Sequence, residues 1–163
     1  MFDRILLALD ESPAGEVATV FASALARRTR ASVHVLHVNE RLVGGRGVTL
    51  RTRDEATDLV TAAVGQLNTD GVAADGSVRV HSYRGVPAAI VAAARDRECG
   101  AIVLGSHRHR RLSRLFSAQV RERTTRLTSL PVLTAPSPLT VTSLGTAGSW
   151  DGRLDQALDS ILR

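Results

Sequence analysis

The chain has 163 residues and is 44% apolar with only five aromatics, so the core of a single domain must be filled by Val, Leu, Ile and Ala. One cysteine excludes an internal disulfide framework and fits a reducing cytoplasm, and no apolar run approaches the roughly 20 residues of a membrane span. The net charge of +5 is concentrated, because between His107 and Arg126 seven arginines stand against one acid, Glu122; the basic field is one patch.

Met1-Phe2-Asp3-Arg4 leads straight into a strand, so no signal peptide is expected. Arg4–Leu9 is a continuous apolar run of the kind buried on both faces of a sheet. Ser12 is placed to cap a first helix with Pro13 at its opening position, and Val17, Val20, Phe21, Ala24 and Leu25 repeat at the helical period. Ser32–Val38 alternates and is rich in β-branched residues, which makes a second strand, with His34 and His37 as packing residues on opposite faces. Residues 39–50, with Gly44-Gly45-Arg46-Gly47, read as a loop. A second helix stripe follows at Ala56, Leu59, Val60, Ala63, Val64 and Leu67 and ends at Asp70-Gly71.

A third strand is expected from Ser77 to Tyr83, and a third helix from Gly85-Val86-Pro87 with Ile90, Val91 and Ala94 inward. Cys99 is expected as a small, partly buried space-filler before Gly100 and the fourth strand, Ala101–Leu104. The fourth helix spans about 113–127 with Leu115, Phe116, Val120 and Leu127 inward, and the fifth strand is Pro131–Ala135. This alternation demands an α/β domain: a doubly wound five-stranded parallel sheet flanked by four helices, with right-handed crossovers. Ligands of such sheets bind beyond the strands' C-terminal ends, here near Asp10 and Gly105. Residues 1–136 form that domain. Residues 137–163 are a tail: Gly145–Gly152 is Gly/Ser-rich, and Leu154, Ala157, Leu158, Ile161 and Leu162 make a short amphipathic helix that must dock on its own domain or on a partner subunit.

Ala101–Pro136 has the layout of a phosphate-binding βαβ unit, in which a glycine loop and a helix N-terminus hold an anion. After Gly105, however, arginines, Ala118 and Gln119 stand where small residues are needed. Arg108, Arg110 and Arg111 supply guanidinium forks suited to phosphate, so side chains could take over what the backbone has lost.

Four features together resemble the universal stress protein family: Ala8-Leu9-Asp10-x-Ser12; Val35-Leu36-His37-Val38; Gly85-Val86-Pro87-Ala88-Ala89-Ile90; and Ile102-Val103-Leu104-Gly105-Ser106 followed by a helix and Leu130-Pro131-Val132-Leu133. The resemblance covers residues 1–136. It implies strand order 3-2-1-4-5, a cytoplasmic, non-catalytic stress or regulatory protein, and a homodimer paired through Pro131–Ala135, an edge strand with exposed backbone groups. ATP-binding members carry a glycine, two residues, a second glycine, nine residues, a third glycine and then Ser or Thr. Here the first position is Gly105; the others hold Arg108, Ala118 and Gln119, so only the first element survives. By resemblance the nucleotide site comprises Ala8, Asp10, Val38, Gly105, His107, Arg108, Ala118, Gln119 and Val120, with Asp10 at the nucleoside and the backbone near Val38 at the adenine.

The implied function is a regulator with weak or no ATP binding that acts through protein contacts. One alternative is an adenine-nucleotide sensor taking ATP, AMP or a cyclic nucleotide through an arginine-based phosphate site. The other is an anion or nucleic-acid binder using Arg108–Arg126, although no aromatics interleave with that run and a solvated face with Arg–Glu pairing explains it equally. Asp10 serves either as a ribose or base contact or as a strand-end residue facing the first helix's dipole. His107 and His109 lack companions at metal-ligand spacing, and Ser106-His107 is not a dyad by adjacency, so neither a metal site nor a catalytic residue is expected.

Overall fold

The computed structural model describes residues 2–10, 12–41, 49–106, 118–136 and 158–159. The elements are β1 (Arg4–Ala8), α1 (Pro13–Thr29), β2 (Ser32–Arg41), α2 (Arg53–Thr69), β3 (Ala74–Ser82), a 3-10 turn (Tyr83–Gly85), α3 (Val86–Asp96), β4 (Ala101–Leu104), α4 (Ala118–Leu127) and β5 (Val132–Thr134). The strands form one parallel sheet in the order β3-β2-β1-β4-β5. The expected architecture and strand order are therefore present.

Alternation along the central strands builds two cores. Ile5 and Leu7 of β1 and Val33 and Val35 of β2 face α1 and α2, meeting Phe21, Leu25, Val60 and Leu67. Leu6, Ala8, Leu36 and Val38 face the other way, meeting Ile90 and Ala94 of α3 and Val120 of α4. A residue buried in both faces' packing leaves no room for polar side chains, which is why β1 and β4 read as unbroken apolar runs.

Several boundaries and faces differ from expectation. β2 continues past Val38 to Arg41 because β3 pairs with it as far as Arg41↔Ser82. Its polar end is held by a clamp: Asn39 Nδ2 donates to the Arg51 carbonyl at 2.9 Å, the Arg51 N–H returns to Asn39 Oδ1 at 3.2 Å, and the Leu50 N–H donates to the Glu40 carbonyl at 2.8 Å. Arg41 also bridges Thr49 in antiparallel fashion. Residues 39–41 are thus strand, and 42–48 of the expected loop lie outside the described residues. β3 starts at Ala74 and ends at Ser82, with Tyr83 already in the 3-10 turn. Val20 (39% exposed), one of the apolar residues at the helical period of α1, faces water, and so does Leu127 (51%), against the expectation that it points inward. Ser12 occupies the cap position of α1 but makes no capping bond. Residues 113–117, including Leu115 and Phe116, fall outside the described residues.

Leu158 answers part of the tail question. It is fully buried in the core beneath α1, with Phe21, Leu25 and Ala135 in the same cluster. Beside it, Arg28 Nη2 meets Asp159 Oδ1 at 2.5 Å. The tail therefore docks on its own domain at this point. Leu158→Ala should lower unfolding stability by roughly 2–5 kcal/mol in a urea titration; an unchanged midpoint would show that the docking contributes nothing.

Candidate functional site

The C-terminal ends of β1 and β4 meet the start of α1 in one corner. A Cβ on Gly15 would fall on the Asp10 carbonyl oxygen, so only glycine lets the first turn of α1 close onto the end of β1. A Cβ on Gly105 would lie 3.0 Å from the Ala14 carbonyl oxygen, so the chain leaving β4 also packs against that turn. Gly15 was not singled out from the sequence; a glycine in the first turn of a helix was the available signal.

Asp10 is buried at this corner. Its Oδ1 accepts the Ser12 N–H at 3.1 Å and the Ser12 hydroxyl at 2.6 Å. Ser12 therefore organises Asp10 rather than capping the helix, and the carboxylate is held in one orientation before any ligand arrives. Next to it, His37 Nδ1 lies 3.0 Å from the Leu9 carbonyl oxygen. A carbonyl only accepts, so Nδ1 carries the hydrogen.

The structure brings Ala8, Val38 and Val120 into one apolar cluster on the α3/α4 side, with Tyr83 packed against it. Asp10 and Gly105 stand at the adjoining strand ends. Ser106 Oγ is buried with no hydrogen-bond partner among the described residues. Gln119 is exposed on the first turn of described α4, and its Oε1 accepts from the Tyr83 hydroxyl at 3.5 Å. His107 and Arg108 lie outside the described residues, and Ala118 is placed by its helical backbone alone. Farther along α4, Arg121, Arg123 and Arg126 are exposed, and Arg126 pairs with Glu122 at 2.6 Å. A groove of about 660 Å³ opens on the opposite face, between α1 and α2, with Asp10, Ser12 and Glu16 at one end and Val17, Val20 and Leu59 along its walls.

Titratable groups elsewhere in the sheet are tuned by burial. Burial holds His34 below its ordinary value, against the pull of its hydrogen bond to Asp75, and Arg97 and Arg4 add to the depression. Burial likewise depresses His37, against its bond to Leu9 and the charge of Asp10. The Cys99 thiol is pushed up to about 11, chiefly by burial, which leaves it an inert space-filler. Among the described residues no cluster of three or more potential ligands could hold a metal ion, and no helix is long and apolar enough to cross a membrane.

The model of the universal stress protein family matches residues 1–136. Among solved structures the chain is similar to a protein of that family from Burkholderia pseudomallei (24% identity, 83% of this chain and 96% of that one, TM-score 0.66). It is also similar to the universal stress protein of Archaeoglobus fulgidus (24% identity, 83% and 100%, TM-score 0.67). A structure of the Archaeoglobus fulgidus universal stress protein in complex with dAMP matches as well (24% identity, 82% and 97%, TM-score 0.63). At these identities the likeness establishes the fold. Among curated proteins no sequence matches.

Two outcomes follow from this geometry. Gly15→Ala should destabilise the protein by about 1–3 kcal/mol, read from its urea midpoint, because backbone must move to admit the methyl group. Second, His34 and His37 have folded pKa values below the ordinary 6.5, so the unfolded chain binds more protons below that pH. Their contribution is fully present above about pH 6.5 and is lost as pH falls toward the depressed values. The urea midpoint should therefore fall from about pH 7 to about pH 5 and fall less in His37→Gln; equal slopes in both proteins would remove His37 as a cause.

Proposed function

The chain belongs to the universal stress protein family, and on that premise we propose that it is a cytoplasmic stress or regulatory protein that holds ATP weakly or not at all and acts through contacts with other proteins. The observation that carries this reading is Gln119. ATP-binding members place a Ser or Thr hydroxyl at the corresponding position, whereas here a longer amide stands exposed and accepts from Tyr83. Arg108 and Ala118 occupy the two preceding glycine positions. A triphosphate normally gains its grip from backbone N–H groups that glycine leaves accessible. With a Cβ at both positions that grip depends on side chains, and a bulky amide is a poor partner for the metal that accompanies ATP.

The nucleoside half of the site fits a ligand better. Ala8, Val38 and Val120 offer an apolar wall, Asp10 is pre-oriented by Ser12, and Ser106 Oγ is a buried hydroxyl without a partner among the described residues. These features favour a second reading, in which the site takes adenosine monophosphate while failing to hold the triphosphate. A relative has been solved with dAMP. In either case assembly into a homodimer would use the edge at Pro131–Ala135, where β5 has a neighbour on one side only among the described residues.

Calorimetric titration with ATP and with AMP, with and without magnesium and at low and high salt, separates the readings. No saturable heat with ATP is expected. Saturable AMP binding that Asp10→Ala abolishes would establish the second reading. Tight ATP binding at both salts would overturn the first, and its loss in Arg108→Gly would assign the phosphate to arginine.

A further inference from the structure

The outer side of β3 carries a row of backbone groups that the sheet does not use. Among the described residues the strand's only neighbour is β2. The Val33 N–H donates to the Ala73 carbonyl, and the parallel register carries that phase along the strand, so Asp75, Ser77, Arg79 and His81 spend their backbone groups on β2. Gly76, Val78 and Val80 therefore turn both N–H and C=O outward. At the start of the strand the Ala74 N–H is taken by Asn68 Oδ1 at 3.1 Å, which ends the open row there.

The side chains divide by face. Gly76, Val78 and Val80 lie on the α2 side: a Cβ on Gly76 would collide with Val60 Cγ1, and Val78 packs on the core beneath α2. Val80 is 44% exposed and borders, with Thr57, Val60, Thr61 and Gly76, a cleft of about 650 Å³. Asp75 and Ser77 lie on the α3 side, hydrogen-bonded to His34, and Arg79 meets Asp96 of α3 there at 2.6 Å. Edge strands are normally guarded by lysine, proline, a bulge or brevity. β3 runs nine residues in unbroken register with no lysine or proline.

The strand is complementary to itself. A half-turn about Val78, the midpoint of Ala74–Ser82, sets it antiparallel to its copy. Val78 then faces Val78, Gly76 faces Val80 and Asp75 faces His81. The first two kinds of pair join outward-turned residues, so each pair exchanges two N–H···O=C bonds, whereas a shift of one residue would set outward groups against groups already spent on β2. The exposed Val80 of each copy comes to lie across from Gly76 of the other, where the strand has no side chain and the cleft leaves room. On the α3 side Asp75 comes opposite His81 and diagonal to Arg79 of the copy, so unlike charges meet. Centring the pair on Val80 instead would set Arg79 against His81.

We propose that the β3 edge is the docking surface for a second copy of this chain, paired antiparallel about Val78 so that the two sheets become one continuous sheet. This edge lies opposite β5, so the interface stands whether or not β5 pairs as well.

Hydrogen exchange tests it on the unaltered protein. Exchange at the Gly76, Val78 and Val80 amides should slow about tenfold or more as protein concentration rises; rates independent of concentration would overturn the proposal. Cross-linking tests the register. In a hydrogen-bonded antiparallel pair the Cα atoms are about 5.5 Å apart, within disulfide reach, so Val78→Cys should give a disulfide-linked dimer under mild oxidation. Val80→Cys should not, because its copy lies four residues, roughly 14 Å, along the strand. The native Cys99 is buried, with its thiol pushed up to about 11, and does not compete. Equal cross-linking at both positions, or none in a Val78→Cys protein of unchanged urea midpoint, would overturn the proposal. In sedimentation equilibrium Val80→Lys should weaken association about tenfold or more; unchanged association would overturn it too.

Discussion

The corner where α1 turns back onto the sheet is the constraint on which this molecule rests. Gly15 lets the first turn of α1 sit on the Asp10 carbonyl, and Gly105 lets the end of β4 approach Ala14 from the other side. Both contacts are backbone against backbone, so neither can be relieved by moving a flexible side chain. The winding reverses between β1 and β4, which stay paired as far as Ala8↔Leu104, and the close approach at Ala14 fixes where α1 sits over their ends. It also fixes where the Asp10 carboxylate points, since Ser12, which bonds to it, lies in the same tight turn.

Two kinds of electrostatic economy operate in this sheet. Near the corner, Asp10 is engaged by Ser12 two residues on, and His37 by the Leu9 carbonyl on the neighbouring strand. Across β2 and β3 the engagement is at longer range: His34 reaches two residues more than forty positions away in sequence. A fully buried imidazole is costly unless both nitrogens are engaged. Asp75 and Ser77 engage both, and Arg4 and Arg97 screen the carboxylate that does so.

What could be read from the sequence was what one segment declares about itself. Unbroken apolar runs marked β1 and β4, and spacing marked the helices, because burial on both faces or on one stripe leaves a local signature. Leu127 misled because an apolar residue can have the right spacing and still meet water, as Val20 does. The extension of β2 was hidden because Asn39 and Glu40 look like loop residues until Arg51 and Leu50 are brought alongside them. The line through His34 was hidden for the same reason, since it exists only once the register of β2 against β3 is known. At the corner, Asp10 and Gly105 were legible as the ends of two apolar strands. The use of Ser12 was not, because a cap and an Asp partner call for the same residue type.

The clamp at the end of β2 has a consequence for how this fold can change. The Asn39 side chain holds the Arg51 backbone by both of its groups, Leu50 is bonded to Glu40, and Arg41 is bridged to Thr49. The two ends of the connection are therefore pinned to each other independently of the residues between them. A connection tied off at its neck transmits little of its own length or composition to the sheet, and added length costs only slowly in closure entropy. This is a natural site for insertion: a new binding segment, or a whole small domain, could be spliced between Arg41 and Thr49 while β2 and α2 kept their places.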